Sequence, residues 1–144
     1  MVISPRVHVV NAVLRADEGT PFFIGEGANL QDFVLLHAHT TQENGRPKPE
    51  NLVPVPGKGY FSIYIGNNTS LAHGAMVHGP AYIGDNSFIS FKATVDHARI
   101  GNNVEIGAHA PQLGVDSVVE ANEGRAPARG RARAEARWVV GLAR

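Results

Sequence analysis

The chain has 144 residues, enough for one domain with a buried core, and contains no cysteine. That removes thiolate metal sites, disulfides and cysteine nucleophiles. Lys plus Arg number 13, the same as Asp plus Glu, so no global field favours nucleic acid or a membrane surface as partner.

No apolar run approaches the ~20 residues of a membrane span, and the N-terminus lacks a charged-then-apolar leader pattern. The chain as given therefore reads as soluble, with the cytoplasm favoured and the compartment otherwise unmarked. In chain order, residues 1–14, MVISPRVHVVNAVL, give room for about one coil of the repeat that follows. Units of six then begin as IGEGAN, LQDFVL and LHAHT, led by Ile24, Leu30 and Leu36. Residues 41–62, rich in Pro, Gly and charge, interrupt the pattern and read as an extruded loop between two coils. From residue 65 the sixes resume as IGNNTS, LAHGAM, VHGPAY, IGDNSF and ISFKAT, then VDHAR one residue short, then IGNNVE. Their leaders are Ile65, Leu71, Val77, Ile83, Ile89, Val95 and Ile100.

A helix cannot carry this pattern, because Gly-Asn-Asn and Gly-Pro interruptions arrive too often. An antiparallel strand would alternate in twos over longer runs. Six-residue units with an aliphatic leader specify a parallel β-helix: short strands form three flat sides, leaders point inward, and Gly and Asn take the corners, where positive φ is cheap for them. The predicted fold is thus all-β, a parallel β-helix over residues 1–118. A tail follows over 119–144, in which RARAEARWVVGL at 131–142 is rich in helix formers and predicts a short helix.

Three units make one turn, which assigns each histidine to a side. His37 and His78 both take second place on the third side, one coil apart, about 4.8 Å along the axis. Two imidazole nitrogens bound to one tetrahedral zinc lie roughly 3.3 Å apart, within reach of stacked side chains that lean together. His73 sits in third place on the second side and projects from another face. A threefold assembly would set one subunit's second side against a neighbour's third side, so that His73 completes a three-histidine site. The five-residue spacing of His73 and His78 then feeds two sites rather than one.

The segments RADEGTP, NLQD, LLHA, YIGNNTSLAHGAMVHGPAYIGDNSFI and IGNNVEIG closely resemble the γ-class carbonic anhydrases and the related domain of carboxysome assembly proteins, over about residues 9–115. The resemblance implies a left-handed β-helix homotrimer with a metal at each interface, held by His37 and His78 of one chain and His73 of the next. It implies zinc, with iron or cobalt as alternatives, since three imidazoles do not choose strongly among them. It further implies an interface ion pair of Arg15 and Asp17, an acid–base role for Glu18, and a water-orienting role for Gln31 with Asn29 and Asp32 supporting it. The implied activity is reversible hydration of CO2 to bicarbonate, with zinc-bound hydroxide attacking the carbon and a titratable group removing the proton.

Several positions depart from the archaeal-type pattern. A glutamate proton shuttle is expected three residues after the first ligand, and here Thr40 holds that place; His39 and Glu43 are the candidate substitutes. The family usually has one or two further coils before the Arg-x-Asp-Glu segment, where residues 1–14 give room for about one, and EGRAPARGRARAEARWVVGLAR replaces its last coil and the segment that carries an active-site asparagine. His8, His97 and His109 read as surface or hydrogen-bonded residues, and Phe22, Phe23, Phe33 and Phe88 as packing groups. Two other functions share the solenoid: a non-catalytic assembly module that keeps the metal as structure, and a hexapeptide acyltransferase with a histidine base. The acyltransferase gives three ordered histidines and Arg-x-Asp-Glu no reason to co-occur.

Overall fold

The structure is a computed structural model that describes residues 1–16, 21–38 and 48–110, with the backbone of 42–43, 46–47 and 117–119. Short parallel strands stack into three sheets, one for each side of a left-handed prism. The first side runs Val2–Ile3, Phe22–Ile24, Ile63–Ile65, Ala81–Ile83, Ala98–Ile100 and Ser117–Val119. The second stacks His8–Val9, Asn29–Leu30, Ser70–Leu71, Phe88–Ile89 and Glu105–Ile106. The third stacks Val13–Arg15, Leu35–Ala38, Met76–Gly79 and Thr94–Asp96.

Leaders align with leaders. Ile24 pairs with Ile65, Ile65 with Ile83 and Ile83 with Ile100, and the same holds for Leu30, Leu71, Ile89 and Ile106 on the second side. Every one of these side chains is fully buried, as are Leu36, Val77 and Val95 on the third side. One register slip would turn a whole row outward, so this burial fixes the stacking. Residues 1–14 supply the single coil expected of them, with Val2–Ile3, His8–Val9 and Val13–Arg15 on successive sides.

The corners refine the expectation about Gly and Asn. At the first corner Gly27, Asn68, Asn86 and Asn103 do take positive φ, between 53° and 71°. The glycines that directly follow the leaders do not. They are there for close approach: a Cβ on Gly66 would sit 2.6 Å from the carbonyl carbon of Gly84 and 2.7 Å from the Asp85 nitrogen. Asn and Asp side chains staple the same corner from coil to coil, Asn67 Oδ1 accepting from Glu26 N, Asp85 Oδ1 from Asn67 N and Asn102 Oδ1 from Asp85 N. At the second corner the positive-φ positions among the described residues are Asn11, Phe33, Gly74, Lys92 and His109, so three bulky side chains stand where glycine is cheapest.

The inserted segment is partly structured. Gln42–Glu43 and Arg46–Pro47 pair antiparallel, a 3-10 turn follows at Pro49–Asn51, and Val53–Val55 pairs antiparallel with Gly59–Phe61. This second hairpin folds back on the first side, where Val55, Phe61 and Tyr64 form a small buried cluster beside Phe23 and Tyr82. Phe23, Tyr64 and Tyr82 stack in a ladder with centroids 4.9 Å apart at each step. Lys58 reaches from the hairpin over the Phe23 ring and donates to the Tyr64 hydroxyl at 3.2 Å. Phe22 faces the core, while Phe33 is 72 % exposed. Among the described residues no helix is long and apolar enough to cross a membrane. The helix expected at 131–142 lies outside the described residues.

Candidate metal centre

The third side carries one outward column built by the register alone. Arg15 pairs with His37, His37 with His78, and His78 with Asp96. In each strand the neighbouring Leu14, Leu36, Val77 or Val95 points to the interior, so these four side chains share the outer face. The His37 and His78 rings approach to 5.0 Å between centroids and stand at 79° to each other.

That separation suits one tetrahedral ion. With ~2.0–2.1 Å from metal to nitrogen, the ring centre lies about 3.2 Å from the metal, and a tetrahedral angle puts two ring centres about 5.2 Å apart. Neutral imidazoles also suit zinc, iron or cobalt in their donor type. The pair therefore fits the ion that the sequence implies. Among the described residues of one chain, no three His, Asp or Glu side chains converge into a complete site.

His73 lies on a separate face, at the corner between the second and third sides. Asp32, His73 and Phe91 stack there on successive coils: the Gly74 nitrogen donates to the Asp32 carbonyl, and the Lys92 nitrogen to the His73 carbonyl. Phe91 packs on the His73 ring, 5.8 Å between centroids and nearly parallel at 17°. The His73 side chain is 52 % exposed and is held by its Nδ1, which accepts from the Asp32 backbone N–H at 3.2 Å. A neutral ring in that state carries its proton on Nε2. Ligation through Nε2 would need the proton on Nδ1 and would give up that bond; the nearest carboxylate oxygen, Asp32 Oδ2, lies 3.8 Å from Nδ1, beyond hydrogen-bond distance.

Gln31 and Asn29 flank the buried Leu30 on the second side, both half-buried, and Gln31 N donates to the Leu71 carbonyl. Arg15 is placed at the head of the histidine column. Asp17, Glu18, His39 and Thr40 lie outside the described residues, as does the side chain of Glu43. Sequence reading overlooked Asp96. The signal was available, because Asp96 follows the leader Val95 just as His37 follows Leu36 and His78 follows Val77. His97, read as a hydrogen-bonded residue, bonds through Nδ1 to Asp96 Oδ1.

Fold and repeat define the class first: this is a hexapeptide-repeat β-helix. The family model described as "Bacterial transferase hexapeptide (six repeats)" matches residues 62–97. The carbonic anhydrase of Methanosarcina thermophila is 48 % identical over 105 residues, which is 72 % of this chain and 42 % of that protein. The carboxysome assembly protein CcmM of a Nostoc species is 47 % identical over 67 % of this chain and 16 % of its own length. A mitochondrial γ carbonic anhydrase of Arabidopsis thaliana is 30 % identical over 58 % of this chain and 24 % of its own. Over about two thirds of its length the chain is thus homologous to γ carbonic anhydrases and to the carboxysome assembly protein CcmM. It spans less than half the length of these relatives.

Proposed function

We propose that the chain is a γ-class carbonic anhydrase domain that hydrates CO2 reversibly to bicarbonate, working as a homotrimer with a zinc ion shared between subunits. His37 and His78 of one subunit and His73 of its neighbour would hold the ion. The observation that carries this reading is the facing pair of His37 and His78 rings, 5.0 Å apart, with His73 on a different face of the same prism. A zinc ion in a three-imidazole site supplies Lewis acidity that brings the pKa of a water ligand to ≈ 7.

The remaining steps belong to the chain's own groups. Gln31 orients the attacking water, and Asn29 and Asp32 fix the backbone and side chains around it. Glu18 takes the proton released as water adds to CO2, and His39 and Glu43 hand it to solvent in the role left open by Thr40. Arg15 and Asp17 tie neighbouring subunits where the site forms.

A second reading has its own support. CcmM is nearly as similar to this chain as the archaeal enzyme, 47 % against 48 %, and Thr40 replaces the expected shuttle carboxylate. On that reading the metal site holds an assembly module together and turns over no substrate. The family model matches the repeat itself, so its transferase description gives acyl transfer no separate support. CO2 hydration by zinc-loaded protein, set against a chelated control, separates the two. Metal-dependent turnover supports the enzyme; a fully metalated trimer without turnover supports the module.

A further inference from the structure

The histidine column does not end at His78. Asp96 takes the next position on the same outer face, paired with His78 across the strands of adjacent coils, about 4.8 Å away along the axis. Its side chain is only 17 % exposed, and its Oδ1 is bonded to Nδ1 of His97. The residues that follow His37 and His78 are Ala38 and Gly79, neither of which carries a polar side chain. The coil of Asp96 differs because its last unit is one residue short. His97, at φ 52°, turns the corner alone, and its backbone nitrogen donates to the His78 carbonyl. The missing residue thus folds the His97 ring against Asp96.

We infer that Asp96, held in place by His97, is a positioning residue that orients the His78 imidazole for metal. A histidine that ligates through one ring nitrogen has an N–H at the other, and that N–H commonly goes to a carboxylate, which fixes the ring and raises its basicity. Asp96 is the carboxylate the register puts beside His78. A carboxylate accepts at two oxygens, so Oδ1 serves His97 while the second oxygen serves His78. His97 restricts the carboxylate to one orientation, because its Nδ1 donates to Oδ1. This inference rests on the metal reading of His37, His73 and His78.

The test measures zinc affinity by competition with a chromogenic chelator, at one pH, on the full chain. Asp96→Asn should weaken zinc about ten- to a hundredfold and shift the visible absorption of the cobalt-substituted protein. Thr94→Ala, on the same strand and outer face but in the neighbouring column beside Met76, should leave both unchanged. Affinity within about twofold of wild type in D96N, or an equal loss in T94A, overturns the inference while leaving the three-histidine site standing. A wild-type chain that binds no zinc overturns the site reading instead, and this inference with it. If D96N does not fold, His97→Gly decides. Glycine keeps the corner at no strain, a loss of at least about threefold supports the inference, and wild-type affinity overturns it.

Discussion

His37 and His78 occupy matched positions on successive coils, and their rings meet at 79° with centroids 5.0 Å apart. No sequence spacing in an ordinary helix or strand would bring residues 37 and 78 together, because 40 residues, the inserted segment among them, separate them. The coil does so by closing each turn one strand spacing above the last. His73 is excluded from the pair by the same geometry, since it turns its ring out at a different corner.

This separation predicts a complementation result. On the proposed trimeric reading, His73→Ala and His37→Ala should each lose zinc as pure trimers while staying folded, because neither side chain belongs to the apolar core. In a cyclic trimer each site joins His37 and His78 of one subunit to His73 of the next. Any trimer that mixes the two variants then rebuilds one site in three. Random assembly from an equal mixture should recover about a quarter of the wild-type zinc content, read by metal analysis after co-refolding. No recovery would mean that His73 and His37 do not serve one site.

Much of this was legible in the sequence, and the reason is the repeat. A period of six with buried leaders fixes strand, side and register together, so the placement of His37, His73 and His78 followed from counting. What counting missed shows its limits. The Gly after each leader looked like a residue chosen for positive φ, yet Gly66 is required by the backbone of the next coil. The inserted segment offered no period, so the hairpin that carries Lys58 to Phe23 and Tyr64 could not be read from it. Phe33 and Lys92 hold left-handed corner positions that nothing in their chemistry favours. Asp96 follows the leader Val95 as His37 follows Leu36, so the same count reaches it.

The two kinds of corner residue should respond differently to mutation. Gly66→Ala sets a methyl 2.6 Å from the Gly84 carbonyl carbon, and backbone held by strands on both sides cannot give way easily. A cost of about 1–3 kcal/mol is expected, the range for overpacking. Asn86→Gly, at φ 55°, keeps its conformation and should change stability by no more than about 0.5 kcal/mol. Urea unfolding of both variants measures the contrast. Equal effects would show that conformation, and not coil-to-coil approach, governs the glycine positions.

Tyr82 gives the fold a dependence on alkaline pH. Its phenol is pushed above the usual value, first by burial and then by the neighbouring Tyr64, while Arg99, whose guanidinium lies 4.0 Å from the ring centroid, pulls the other way. In the unfolded chain a tyrosine titrates near 10. A folded value above that means that the folded state holds its proton more tightly, so this stabilisation is complete below pH 10 and is lost as pH rises through the folded value. Tyr82→Phe keeps the ring in the stack with Tyr64 and removes the titration. The urea midpoints of wild type and Y82F should therefore run parallel below about pH 9 and diverge above pH 10, with the wild type falling faster. Curves that stay parallel through pH 11 would show that the Tyr82 hydroxyl titrates alike in both states.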